Sequence, residues 1–319
     1  MKKIIRITVL LSMLILGQTS IVYAGTTDSG VLNFEDIKSI IIEQNTDVKI
    51  NQNDRLKSHV AESYLKKNIK DLKDDLEDIN DQRDNAGGNL RIALGAEKRA
   101  ILDAIKELER NLEDLPLSIS STDVKASMSD DTQIRIAEGA FIQYNGLEVA
   151  SSELSRSINT VQNQLVVMQL RERLGMVSHN EVDALKTQLM DMQTKLESCK
   201  LQQEESKREL GNLLNQQDDT LEIGSIPVTN EGFVIEDKEA DLNKALENSY
   251  TIKLQEEQIV NLQNTLTRAK KDHGLSSNEY KQVSYDLDNA NLTLAQQKDT
   301  LKSDYSTIID DIVKKQSCL

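Results

Sequence analysis

Histidine, cysteine and carboxylate side chains are the groups in this sequence that could bind metal or take part in catalysis. The three histidines, His59, His179 and His273, are far apart in the chain, and none has a second histidine at the spacing of a helical metal site. The two cysteines, Cys199 and Cys318, are too few for a disulfide framework, although a single bridge between them stays open in an oxidising compartment. The spacing therefore predicts no metal site.

Sequence motifs of catalytic and nucleotide-binding sites are missing. The chain has no Gly-x-Ser-x-Gly run, no phosphate-binding loop and no glycine pattern of a dinucleotide site. Asp and Glu number 53 in 319 residues, but carboxylates on the solvated faces of helices usually serve solubility. We therefore expect no catalytic residue and no cofactor, and we expect that the protein is not an enzyme.

The first 24 residues have the composition of a secretory signal peptide. Three basic residues precede the apolar run 7–16, and small residues end the segment at Ala24. The apolar run is about ten residues long, shorter than the roughly 20 residues that a membrane-spanning helix needs. We expect an exported protein of the cell envelope, placed at the outer membrane, in the periplasm or on the cell surface. Whether it contacts a membrane stays open.

The rest of the chain is acidic and poor in aromatic residues. Removing the three basic residues of the signal segment, which contains no acidic residue, takes the formal charge from −15 to −18. Such a chain repels phosphate, so we expect no nucleic acid partner. With 3% aromatic residues, no Trp and two prolines, the composition favours long helices packed along narrow seams.

A stop-and-restart signal at residues 174–181 separates two long apolar ladders. Gly175 suits the left-handed residue that ends a helix. Ser178, with Glu181 three residues later, forms a capping box that begins the next helix. Apolar residues recur every three or four positions on both sides, so the pattern predicts an antiparallel helical hairpin with its tip here. The ladder residues are Leu154, Ile158, Val161, Leu165 and Met168 before the tip, and Val182, Leu185, Leu189, Met192, Leu196 and Cys199 after it.

Further helices are predicted on the N-terminal side of this hairpin. One begins near Asn33, breaks or bends near residues 45–47 and ends at the polar, glycine-rich segment 85–88. The next spans roughly 96–115 and is stopped by Pro116. We expect residues 117–130 to form a loop or at most one weak strand, with helix resuming near Asp130.

The C-terminal part of the chain repeats features of the beginning. Residues 43–50 match residues 247–254 at a constant offset of 204. Gly274, followed by Ser276 and Glu279, repeats the chemistry of the tip and predicts a second capping box. We interpret the chain as a tandem duplication, although coiled-coil composition alone is the alternative. The predicted organisation is a signal peptide over 1–24, a first helical repeat over 33–222 with its tip near 175, a linker over 223–237 and a shortened second repeat over 238–316 with its tip near 274.

These features resemble the bacterial outer-membrane efflux proteins of the TolC type, with this chain as a divergent or truncated member. Proteins of that family are tandem duplications of a mostly helical unit, with long hairpins whose tips read Gly, apolar, Ser or Thr, then an acidic–apolar pair. The resemblance covers most of 33–222 and, more weakly, 238–316. The residues that fit the tip are Gly175, Val177, Ser178, Glu181, Val182 and Leu189, and those that fit the end of the returning helix are Leu210, Leu213 and Leu214.

Three features depart from the family. Residues 81–130 lack the alternating segments expected where the family carries strands between its helices. The second half is short, with one hairpin. Asp183 and Leu185 stand where the family often has Leu and Ala. The fold class predicted is therefore all-α, made of long antiparallel hairpins with few or no strands.

The resemblance implies a role in export. It implies self-association into a trimeric tunnel and docking of an adaptor protein of an export pump through the hairpin tips. The docking residues would be Gly175, Met176, Val177 and Ser178 at the first tip, and Gly274, Leu275 and Ser276 at the second. Any helical hairpin needs a stop and a cap, so well-made turns without a docking role remain the alternative reading of these residues.

A non-transport coiled-coil scaffold or spacer of the cell envelope is the second hypothesis for the whole chain. A ring of helices needs apolar residues on two flanks of each helix, whereas a free hairpin needs one. Val166, Val167 and Leu170 lie beside the main ladder and hint at a second flank.

Overall fold

The computed structural model of the chain describes residues 31–216, 221–226, 232 and 234–317. Within these ranges the chain is mostly helical, with two short strands and short connecting segments, which confirms the predicted all-α fold. The predicted signal peptide and Cys318 lie outside the described residues, as does part of the predicted linker. The elements are β1 (Val31–Leu32), a 3-10 helix (Phe34–Asp36), α1 (Ile37–Gln44), α2 (Thr46–Asp84), α3 (Gly88–Arg173), α4 (His179–Leu213), β2 (Glu222–Ile223), α5 (Lys238–Asn248), α6 (Tyr250–His273) and α7 (Asn278–Ser317).

Helix α3 is the spine of the molecule. It has 86 residues, which corresponds to about 130 Å at 1.5 Å per residue. Helix α2 lies antiparallel to its first half, where Asn51 donates to Asp130 at 2.7 Å and Lys73 pairs with Glu109 at 2.8 Å. Helix α4 lies antiparallel to its second half. The α2–α3 turn and the α3–α4 turn therefore lie at opposite ends of the spine.

Helices α6 and α7 form a second hairpin beside the first half of α3. The Tyr250 hydroxyl donates to Asp131 of α3 at 2.6 Å, and α6 runs from there toward the α2–α3 end. Helix α7 returns antiparallel to α6, and the Gln255 side chain of α6 donates to the carbonyl of Ala290 of α7 at 3.0 Å. The four helices lie side by side in the order α2, α3, α6, α7, because each contacts the next one. Helices α2 and α7 form the two edges of this layer.

The main hydrophobic core lies near the middle of α3, where the segment from β1 to the first turn of α2 meets the end of α4. Strand β1 pairs with β2 in parallel, with Leu32 opposite Ile223. The ring of Phe34 packs on that of Phe141 at a centroid distance of 5.7 Å. Burial of this apolar surface fixes α1, α3 and α4 relative to one another. The core residues are Leu32, Ile37, Ile40, Ile41, Val48, Ile134, Ala137, Ala140, Phe141, Leu210, Leu214 and Leu221.

Two helix breaks occupy corresponding positions of the sequence repeat. The side-chain oxygen of Asn45 accepts from the N–H groups of Asp47 and Val48 at 2.9 and 3.2 Å, and so begins α2. Ser249, 204 residues later, caps α6 through its hydroxyl, which accepts from the N–H of Ile252 at 3.5 Å. The predicted break near 45–47 is confirmed. At this offset α6 corresponds to the first part of α2, and Gly274 corresponds to Lys70 inside α2 rather than to the tip at Gly175.

The prediction that Pro116 stops a helix is wrong, because α3 continues through Pro116 and residues 117–130 are helical. A proline inside a helix removes one backbone hydrogen bond and costs roughly 3 kcal/mol. Contacts from other helices hold both sides of this position. Before it, Arg268 of α6 pairs with Asp114, and after it Ser120 donates to Glu257 of α6.

The predicted capping box of Ser276 and Glu279 is also wrong. Helix α7 begins at Asn278, and the N–H of Tyr280 donates to the hydroxyl of Ser277 at 3.0 Å. The cap is therefore one residue later than the sequence pattern indicated. Gly274 ends α6 as predicted, with a φ of 84°.

Candidate docking surface at the α3–α4 tip

The two arms of the α3–α4 hairpin pack through the predicted ladder. All eleven ladder residues are buried or half-buried along the seam, with Ile158, Val161 and Val182 the most enclosed. Because these positions recur every three or four residues, each arm presents one apolar stripe to the other. This apolar packing holds the two arms together up to residue 174, where the chain turns.

The turn at the tip is a Schellman motif. Gly175 has a φ of 71°, in the left-handed region that glycine adopts without strain. Its N–H donates to the carbonyl of Glu172 at 2.8 Å, and the N–H of Met176 donates to the carbonyl of Arg171 at 2.8 Å. These two bonds satisfy carbonyls that the end of a helix would otherwise leave unpaired. The motif fixes the backbone direction at the point where the hairpin reverses.

The start of α4 is held by the predicted pair Ser178 and Glu181. The backbone N–H and the hydroxyl of Ser178 donate to the same carboxylate oxygen of Glu181, at 2.7 and 2.9 Å. These bonds hold the pKa of Glu181 below its usual value, because they stabilise the ionised carboxylate. The carboxylate also lies in the first turn of α4, where the helix dipole favours negative charge.

A histidine links the two arms across the tip. Nδ1 of His179 lies 2.7 Å from a carboxylate oxygen of Glu172 at the end of α3, and Nε2 lies 3.0 Å from a carboxylate oxygen of Asp183 in α4. The Lys186 ammonium donates to Asp183 at 2.9 Å, which together with His179 lowers the pKa of Asp183. The sequence offered the four-residue spacing of His179 and Asp183, but not the contact with Glu172.

An exposed apolar face runs along the last turns of α3 to the tip. Val166, Leu170 and Leu174 recur at four-residue spacing, so they lie on one side of the helix. Each is more than half exposed, and Met176 in the turn is 71% exposed. These four residues are called the tip face below. They lie outside the seam, so within the described part of the chain nothing packs over them.

A groove of about 680 Å³ lies between the two arms next to the tip face. Val167 and Met168 of α3 and Leu185 of α4 form its apolar lining, and Arg171 and Glu181 lie at its tip end. Apolar lining beside charged groups is the usual composition of a protein-binding groove. The tip face and this groove together make the end of the hairpin a candidate docking surface.

The seven predicted docking residues occupy two separate surfaces. At the first tip, Gly175, Met176 and Ser178 are exposed, whereas Val177 is half-buried. At the second tip, Leu275 and Ser276 are exposed and Gly274 is half-buried. Asp272, beside the second tip, pairs with Arg110 in the first half of α3. Arg110 is about 95 Å from Arg173 along α3 at 1.5 Å per residue, so the two tips do not share a surface.

Among the residues that the structure describes, no group of three or more His, Cys, Asp or Glu side chains is arranged to hold a metal ion. Cys199 is a free, half-buried thiol on the seam. No helix in the described ranges combines the length and the apolar character that crossing a membrane requires.

No protein-family model matches the chain, and no curated protein matches it.

Proposed function

We propose that this protein is an exported helical component of an efflux-type transport assembly in the bacterial cell envelope, similar in plan to the TolC type. In this proposal the α3–α4 tip docks a partner protein of an export pump. The observation that carries the proposal is the tip face, which leaves four apolar side chains exposed at the free end of a long hairpin. Exposed apolar residues that cluster at one place usually mark an interaction site.

The construction of the tip supports docking as its role. The Schellman motif, the Ser178–Glu181 pair and the His179 link all fix the turn before any partner arrives. A surface that is already ordered loses little conformational entropy on binding, which favours affinity. The partner that fits is a protein with an apolar helical end of its own, such as the adaptor of an export pump. Self-association into a tunnel, a trimer by resemblance, completes the proposal.

In this proposal the chain performs no catalysis and needs no cofactor, and nucleic acid is not a partner. The acidic helix faces keep the arms solvated and would repel phosphate backbones. The main favourable contribution to binding at the tip would be the removal of the apolar tip face from water.

Site-specific photo-cross-linking tests the docking role. A photoreactive side chain replaces Met176 in the full chain in its own cells, and a matched variant carries it at Leu275 at the second tip. We expect the photoreactive side chain in place of Met176 to cross-link to a discrete envelope protein of an export system. The same side chain in place of Leu275 should not form that adduct. Identical adducts at both positions, or capture of the chain's own copies alone at Met176, would contradict docking through the first tip.

A non-transport scaffold is the second candidate function. Its support is the continuous helix through residues 88–130, since the efflux family carries strands between its helices in this part of the repeat. A dye-accumulation assay on cells that lack the protein distinguishes the two candidate functions. A transport component predicts raised accumulation that the unaltered gene reverses, whereas a scaffold predicts altered envelope integrity with unaltered energy-dependent efflux.

A further inference from the structure

We infer that a crevice between α3 and the α5–α6 break binds a small molecule that has an apolar body and one anionic group. The crevice has a volume of about 880 Å³, which lies in the range of sites for drug-sized ligands. Asp131 in its lining is about 60 Å from Arg173 along α3 at 1.5 Å per residue. The inference therefore goes beyond the proposed function and does not depend on docking at the tip.

The crevice exists because the chain changes direction between α5 and α6. Ser249 has an extended backbone, with φ −64° and ψ 116°, and interrupts the helix at this point. The hydroxyl of Tyr305 in α7 donates to Asp241 of α5 at 3.0 Å. This bond holds α5 on α7, and the space between α5 and α3 remains open as the crevice.

The sequence repeat shows which residue would close this space. In the first repeat, α1 precedes the corresponding break, and Ile41 is fully buried in the core with Ile134 of α3. The offset of 204 places Ala245 at the position of Ile41, and Ala245 lines the crevice. The small side chain leaves unfilled the volume that an isoleucine occupies in α1.

Part of the crevice wall is apolar. Met128 and Ile136 of α3 are eight residues apart, so they lie on the same side of the helix. Both line the crevice, and each is 42% exposed. Leu301 of α7 and Ala245 add to this apolar lining. Removing these surfaces from water favours binding of a ligand with an apolar body.

Two cations that lack a carboxylate partner line the same crevice. In the portion of the chain that the structure describes, the Nε of Arg135 donates to the main-chain carbonyl of Asp131 at 3.4 Å and forms no ion pair. The ammonium of Lys253 lies 5.8 Å from the centroid of the Tyr250 ring and likewise forms no ion pair. The sequence has 53 acidic and 38 basic residues, so two basic side chains without an acidic partner at one place favour an anionic ligand.

The carboxylate in the lining is already engaged. Asp131 accepts a hydrogen bond from the hydroxyl of Tyr250 at 2.6 Å. That bond, together with burial, raises the pKa of Tyr250, so the hydroxyl stays protonated and keeps donating. Two cations beside one engaged carboxylate leave the lining net positive, and the guanidinium of Arg135 suits a carboxylate or a sulfonate.

Fluorescence titration of the full exported chain with two probes tests the inference. Anilinonaphthalene sulfonate carries an anionic group on an apolar body, and phenylnaphthylamine is the same body without the charge. We expect saturable binding of the sulfonate that is about fivefold weaker in Arg135→Gln and in Lys253→Gln, while binding of the neutral probe stays unaltered. Arg156→Gln is the matched control, since Arg156 is exposed on α3 and lies 20 residues beyond Ile136. It should change neither affinity.

A steric variant separates the crevice from the tip. Ala245→Ile gives α5 the residue that α1 carries at the equivalent position, and it should abolish binding of both probes in the crevice. Met176→Glu should remove probe bound at the tip face and leave binding in the crevice unaltered. Circular dichroism checks that every variant keeps its helix content. Failure of the crevice and failure of tip docking are therefore read from different variants.

Three results would overturn the inference. The first is the absence of saturable sulfonate binding, and the second is equal affinity for the charged and the neutral probe. The third is sulfonate binding that Arg135→Gln and Ala245→Ile leave unaltered, or that Arg156→Gln weakens as much as Arg135→Gln does.

Discussion

The side-chain amide of Asn45 donates a hydrogen bond to the main-chain carbonyl of Leu213 across 2.9 Å. Through this bond the residue that begins α2 also ties down the last turn of α4, 168 positions later in the chain. The same amide group supplies the oxygen that caps α2. One buried side chain thus joins the α2–α3 and α3–α4 hairpins at the middle of the spine.

Replacing Asn45 should separate these two roles. Asn45→Ala loses both the cap and the bond to Leu213 and should lower the free energy of unfolding by about 2–3 kcal/mol. Asn45→Ser keeps a capping oxygen and should cost about 1 kcal/mol, since it loses only the bridge. Denaturant unfolding measures both values, and equal losses in the two variants would contradict the bridging role.

Replacing Pro116 tests the continuity of α3. In an uninterrupted helix, Pro116→Ala restores a backbone donor to the carbonyl of Leu112 and should raise the free energy of unfolding by up to about 3 kcal/mol. Thermal melting followed by circular dichroism measures the change. If the chain instead breaks at this position, the substitution should leave the melting temperature unaltered or lower it.

The pair Arg268 and Asp114 should contribute to docking of α6 on α3. The two terminal guanidinium nitrogens of Arg268 donate to the two carboxylate oxygens of Asp114, each at 2.6 Å, in a bidentate arrangement that raises the pKa of Arg268. Because the pair is partly exposed, we expect Asp114→Asn to cost only about 1 kcal/mol in denaturant unfolding. Glu113→Gln is the matched control, since Glu113 is more exposed and lies 3.3 Å from Arg268. A larger loss in the control would contradict this assignment.

The cap of α4 should weaken in acid. The pKa of Glu181 is lowered from its usual 4.5 by the bonds from Ser178, so ionised Glu181 stabilises the folded tip. That contribution is complete above pH 4.5 and is lost as the pH falls through the lowered value. Hydrogen exchange at residues 179–183, compared with that in the first turn of α2, should show loss of protection in this range.

Glu181→Gln provides the control for the acid prediction. Its amide does not titrate, so the protection of residues 179–183 should not vary with pH through Glu181. A pH dependence that persists in Glu181→Gln would assign the change to another group, such as Asp183, whose pKa is also lowered.

Local signals in the sequence were sufficient to predict the elements whose boundaries depend on neighbouring residues. The seam of the α3–α4 hairpin follows from apolar spacing and the turn at Gly175 from the conformational freedom of glycine, and the sequence also predicts the break before α2 near residues 45–47. In each case the residues that decide the structure lie within a few turns of one another.

Features that depend on distant residues could not be predicted in the same way. Pro116 remains helical because residues of α6, about 140–155 positions later, hold both sides of it. The second tip lies at the α2–α3 end because Tyr250 fixes α6 on α3, a contact without a local sequence signal. The link from His179 to Glu172 likewise exists only once the chain has turned.

Electron microscopy of the full chain, isolated from the envelope with its partners, tests most directly the claim that this protein is a conduit-forming component of an export assembly. We predict ring-shaped particles in end views, with a central opening lined by long helices and additional partner density at the α3–α4 tips. Single rods with the mass of one chain, or closed bundles without an opening, would contradict the account.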